Sequence, residues 1–158
     1  MRLWHSKLIP LLDNRRLSDL HMSCCNLRGL GWGKRNAAVG YLYDDPLGEE
    51  ALLVYHLEVI DEMQRRGFNV DERWLFPDYC GKKRDTREHD PEKYKEAYRR
   101  NIPLQGHTPR IFKNDVKVLI ERGLPIELSV EDSRDNYYRI YTVRRTDDNR
   151  KITYGIKL

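Results

Sequence analysis

A chain of 158 residues suits one domain, and 39% apolar against 34% charged content allows a modest core inside a heavily charged shell. The 29 Lys and Arg against 25 Asp and Glu leave a net charge of +4, too small to name a polyanionic partner by itself, so the placement of charge has to decide. Three cysteines, with Cys24 and Cys25 adjacent, exclude a disulfide framework and fit a reducing compartment; no apolar run nears the roughly 20 residues of a membrane span and no signal-peptide core is present, so a soluble cytoplasmic protein without a membrane partner is expected.

The first dozen residues carry Leu3, Trp4, Leu8, Ile9, Leu11 and Leu12, apolar bulk that makes sense only if this arm packs into the body of the protein. Packing would hold Met1. An α-amine titrates near ~7.7–8.0, so a held, partly desolvated amine is a competent nucleophile towards a sugar carbon. An ordinary N-terminal anchor explains the same residues.

Asp13 as N-cap and Gly29 as stop predict a first helix over 14–28, with Leu17, Leu20, Cys24 and Leu27 as its apolar stripe. Arg16, Asp19, Ser23 and Asn26 fall on or beside its polar edge. The following GLGWGKRN is basic and glycine-punctuated, so backbone can approach a ligand while Lys34 and Arg35 offer charge to phosphate and Trp32 offers a stacking face; a connector with a buried Trp is the alternative. Residues 37–47 read as a loop. A second helix runs from about Glu49 to Arg66, closed by Gly67 and Phe68, with Leu52, Tyr55, Val59 or Ile60, and Met63 facing inward. His56 has no second His or Cys at a ligand offset, so no metal site is expected.

Residues 71–107 are the least legible, apart from a short helix announced by Asp90 and Pro91. A further helix starts at Thr108–Pro109 and stops at Gly123, with Phe112, Val116, Leu119 and Ile120 as its apolar face and Lys113 and Lys117 one turn apart. After Pro125 the pattern alternates: IELSVE, YYRIYTVRR and KITYGIKL, separated by SRDN and TDDN, predict a three-stranded antiparallel meander whose middle strand offers aromatic and basic groups on either side. The expected architecture is a mainly α single domain of three to four helices over 1–123, with a small C-terminal β meander over 124–158 packed on it.

The opening MRLWH, the run CCNLRGLGWGK and the helix exit EVIDEMQRRGFNV resemble the pyrimidine-dimer DNA glycosylases, the group of the phage endonuclease V repair enzyme. The resemblance covers about residues 1–70, is weak over 102–123 and is absent beyond. It implies a bifunctional glycosylase/AP lyase acting on double-stranded DNA, a monomer without cofactor or metal, in which the amine of Met1 attacks the anomeric carbon and the resulting imine permits β-elimination. By register, Arg2 matches the family's basic second residue. Arg28, Lys34, Arg35, Lys113 and Lys117 match residues that would contact phosphates.

The resemblance breaks at the family's Arg-Glu pair on the first helix, whose carboxylate stabilises the sugar cation: the matching positions are Met22 and Ser23. A neutral hydroxyl cannot replace a carboxylate facing a developing cation, where losing one aimed group commonly costs roughly 10²–10³ in rate. Asp19, one turn earlier, is the remaining carboxylate on that helix face, and His21 or water can shuttle protons. Three readings follow: an active base-excision enzyme with Asp19 or another acid in the lost role; a DNA-binding relative that has lost excision and keeps at most abasic-site cleavage; or an interaction module working through its C-terminal sheet.

Overall fold

The structure, a computed structural model, describes residues 2–30, 39–82, 86–100 and 108–158. Its central helix, α1 (Asn14–Leu30), starts where the Asp13 carboxylate accepts from the Arg16 amide at 3.4 Å and from the Arg16 guanidinium at 2.9 Å. Leu17, Leu20, Cys24 and Leu27 are all buried along one stripe. The helix runs past Gly29, the expected stop. That glycine serves a close approach instead, since a Cβ there would stand 3.1 Å from the Cys80 carbonyl oxygen.

A single turn, α2 (Tyr41–Asp44), lies within the stretch expected as loop, and α3 (Gly48–Arg65) follows. Leu52, Tyr55, Val59, Ile60 and Met63 of α3 are all buried, and α3 packs on α1. Its end is a Schellman closure: Gly67 takes φ +88°, the Phe68 N–H donates to the Met63 carbonyl at 3.0 Å, and the Gly67 N–H to that of Gln64 at 3.0 Å. A 3-10 turn at Glu72–Leu75 precedes α4 (Pro91–Arg99), which Asp90 caps by accepting from the Glu92 amide at 2.9 Å.

Helix α5 (Pro109–Glu121) is capped by the Thr108 hydroxyl and buries Phe112, Val116 and Leu119. Ile120, expected on that face, is 45% exposed, and the place beside Val116 belongs to Asp115, 3% exposed. The chain ends in β1 (Ile126–Asp132), β2 (Tyr138–Arg145) and β3 (Lys151–Lys157), an antiparallel meander in which Val143 lies between Leu128 and Ile152. Tyr141 and Val143 join Leu8, Leu11, Tyr55 and Phe112 in one hydrophobic cluster, so sheet and helices share a core.

That packing leaves β2 half-buried on the helices, with one face inward and one outward. The face carrying Tyr141, Val143 and Arg145 is turned inward; Arg145 donates to the Leu11 carbonyl at 2.8 Å and pairs with Asp147 at 2.6 Å. Tyr138, Ile140, Thr142 and Arg144 form the outer face. Among the described residues, no helix is long and apolar enough to cross a membrane.

Candidate functional site

The arm Arg2–His5 is neither helix nor strand, so side chains hold it in place. Leu3 and Trp4 are buried, and the Tyr55 hydroxyl donates to the Trp4 carbonyl at 2.6 Å. One carboxylate on α5 takes two bonds from the arm: Asp115 Oδ1 accepts from the Arg2 guanidinium and Oδ2 from the His5 amide, each at 2.8 Å. Burial pushes the Asp115 carboxyl above the usual carboxylate range, although the His5 N–H and the Arg2 charge pull the other way. The Trp4 ring is flanked by two guanidiniums, Arg2 at 5.0 Å and Arg122 at 5.7 Å.

Beside the arm opens a pocket of about 910 Å³ lined by Arg2, Trp4, Asp13, Arg15, Arg16, Asp19, Leu20, Ser23 and Arg122. The 3.6-residue repeat of α1 puts 16, 19, 20 and 23 on the face towards it. Sequence-predicted Arg2, Asp19 and Ser23 thus meet at one place, Asp19 and Ser23 one helical turn apart. Asp13 is paired with Arg16 at 2.9 Å; burial pushes its carboxyl up, but the Arg16 hydrogen bond and charge outweigh this and hold it below its ordinary range. Four arginines face two lining carboxylates and Asp115 behind Arg2, so the pocket is positive by one charge. An arginine-rich cleft of this kind suits a phosphodiester.

Arg15, Arg16, Arg122 and Trp4 belong to this pocket without having been singled out as site residues. The Arg15-Arg16 pair at the start of α1 was a visible signal for two of them. Arg122 follows α5, and only the fold brings it to α1, where its carbonyl accepts from Arg16 at 3.3 Å.

His21, expected as a proton shuttle for this site, points elsewhere. It lies two positions from Ser23, on another side of α1, where His21 Nδ1 is 2.8 Å from His56 Nε2 and its Nε2 is 3.6 Å from the Cys25 sulfur. Arg28 was expected to contact phosphate, and it too belongs to this interior network. It is 4% exposed and donates to His56 Nδ1 at 2.9 Å and to the carbonyls of Trp74, Phe76 and Tyr79 at 2.7, 2.8 and 3.2 Å. With both terminal nitrogens spent on these acceptors, the guanidinium has no fork to turn to a phosphate outside.

His21, Cys25 and His56 bring three potential metal-ligand atoms within 4.8 Å of one another, a juxtaposition that an offset search along one helix cannot see because it spans α1 and α3. The wiring is that of a neutral hydrogen-bond chain. Arg28 occupies the His56 Nδ1 lone pair, leaving the proton on Nε2 to be donated to His21, whereas a metal-bound histidine directs its second nitrogen as a donor to a carbonyl or carboxylate. Burial, then the Arg28 charge, holds both imidazoles below their ordinary pKa, His56 well below, and burial pushes the Cys25 thiol up to about 12.

Lys113 and Lys117 are exposed on α5, on either side of Asp115 in sequence, Lys113 at 5.1 Å from the Tyr141 ring and Lys117 at 4.0 Å from Glu121; neither lines the pocket. Met1, Trp32, Lys34 and Arg35 lie outside the described residues.

Fold and pocket together define a mainly helical protein with an arginine-lined cleft beside an anchored N-terminal arm. Residues 1–76, just under half of the chain, match the sequence model of the family described as pyrimidine dimer DNA glycosylase. The matched segment runs from the arm through α1, α2 and α3 to the 3-10 turn; α4, α5 and the sheet lie beyond it. The match supports a glycosylase-like function with DNA as substrate. No curated protein and no solved structure matches the chain.

Proposed function

We propose that this protein is a DNA base-excision enzyme of the imine-forming type, in which cleavage at abasic sites is the stronger activity. The observation that carries the reading is the convergence of Arg2, next to the terminal residue, with Asp19 and Ser23 in one basic pocket. At an abasic site the Met1 amine attacks C1′ of the open-chain sugar, the carbinolamine loses water, and the protonated imine acidifies the C2′ proton. Loss of that proton breaks the 3′ C–O bond, and the phosphate leaves by β-elimination. Asp19 and Ser23 face the pocket and can hand protons through water. The arginines hold the phosphates on either side.

Excision of an intact base asks for more. As the C1′–N bond breaks, positive charge grows on the sugar, and the group best placed to stabilise it is a carboxylate at position 23, where this chain has serine. Ser23 thus favours a second reading, a relative confined to abasic-site cleavage. Borohydride trapping on two duplexes, one with an abasic site and one with a cyclobutane dimer, separates the two. The expected result is a covalent adduct mapped to Met1 with the abasic duplex and a weaker one with the dimer, and an adduct with the abasic duplex alone would favour the second reading. An adduct on Lys34 would make the basic stretch around it the reactive element, and no adduct on either duplex would remove the imine reading.

A further inference from the structure

Asp115 is a buried carboxylate on the apolar face of α5, beyond the family-matched segment, and nothing in the packing of Phe112, Val116 and Leu119 requires a charge there. A buried carboxylate is unfavourable unless its oxygens are well matched, and here both oxygens are spent on the N-terminal arm. Oδ1 holds the side chain of residue 2 and Oδ2 the backbone of residue 5, each at 2.8 Å, bracketing the buried Leu3 and Trp4. Apolar anchoring alone fixes depth; the two directed bonds also fix rotation and register of the arm.

We infer that Asp115 is a positioning residue for the nucleophilic amine, orienting the arm that carries it and offsetting the charge of Arg2, the next residue in the chain. The inference rests on the imine reading proposed above. A reacting amine has to be held within about an ångström of its productive place, and misplacement by ~1 Å costs on the order of 10²-fold in rate. The charge offset acts on the same amine. An unbalanced guanidinium on the neighbouring residue of the chain disfavours the ammonium form, so removing the carboxylate is expected to move the titration of the amine to lower pH. The other charged or titratable groups around this carboxylate and arm are His5, Tyr41, Tyr55 and Tyr154, with Arg122, Arg15, Arg16, Asp13 and Asp19 lining the pocket. Burial raises all three tyrosines, which therefore stay neutral throughout the range of the experiment.

The test is Asp115→Asn, which keeps an acceptor for one of the two bonds and removes the charge. Single-turnover formation of the borohydride-trapped Met1 adduct at saturating abasic duplex should fall by about 10²-fold. The duplex concentration for half-saturation should change by less than about threefold, and the acid limb of the rate profile should move to lower pH. Asp115→Glu, which restores the charge, should recover the pH limb and part of the rate. Arg2→Met cuts the same bond from the other end while leaving the His5 contact, and added to Asp115→Asn it should cost less than it does alone. A folded Asp115→Asn that traps at the unaltered rate with an unmoved pH limb overturns the inference, as does full additivity of the two substitutions. Absence of a Met1 adduct in the unaltered protein overturns the imine reading, and the positioning role with it.

Discussion

Restoring the carboxylate at position 23 is the sharpest perturbation available. Ser23 lines the pocket one turn from Asp19, a separation of about 6 Å along the helix axis, and on the same face as the arm-bearing side of the site. A carboxylate introduced there, about 4 Å from the developing sugar cation, would interact by roughly 4 kcal/mol at an effective dielectric near 20. Removal of single aimed groups in other active sites costs ~2.7–4 kcal/mol, or about 10²–10³ in rate, which brackets the same figure. The opposing cost, a like-charge pair with Asp19 at one-turn spacing, is about 0.2–0.5 kcal/mol, and the excess positive charge of the pocket offsets it. Ser23→Glu should therefore raise excision of a cyclobutane dimer by about 10²–10³-fold while changing abasic-site cleavage by less than tenfold. Single-turnover assays on the two duplexes, read by strand cleavage and by base release, measure both. A variant that cleaves abasic sites normally and gains nothing on dimers would refute the electrostatic argument. Efficient dimer excision by the unaltered protein, insensitive to Asp19→Asn, would place the catalytic acid elsewhere.

The pocket arginines and the interior arginine should part company in a salt titration. Replacing Arg15 and Arg122 by Ala should flatten the salt dependence of duplex binding by about two units of log–log slope, whereas Arg28→Gln should leave the slope intact and lower the melting temperature, the cost being several buried charge-assisted bonds at ~1.5–3 kcal/mol each. Acid should destabilise the fold through His21 and His56. Their folded pKa is depressed, by burial first and Arg28 second, so the unfolded chain takes up protons near pH ~6.5 that the folded one does not, and stability present above that pH is lost below it. His89 runs the other way, its pKa raised by its bond to Glu49, so its contribution is present below pH ~6.5 and lost above; urea midpoints between pH 5 and 8 should show a shallower acid slope in His56→Gln, where His21 still titrates, and lose the alkaline one in His89→Gln.

Much of this protein was written locally. The caps at Asp13, Asp90 and Thr108, the glycine closure after α3 and the alternation of the three strands are short-range signals, and each element stands where they put it. The same holds for Asp19 and Ser23, whose shared face follows from four-residue spacing on one helix. What the residues could not disclose was the partner each side chain finds across the fold. Arg28 reads as a phosphate-contacting cation until the carbonyls of Trp74, Phe76 and Tyr79 close around it, and Asp115, which the periodicity of α5 does not mark, has both its oxygens claimed by the arm more than a hundred residues earlier. The same reason puts His21 in the company of His56 and Cys25 and not of the pocket. Periodicity says which face of a helix is apolar, but a charged or polar side chain near the edge of that face is committed by whatever long-range contact the packed chain supplies, and only tertiary structure decides that.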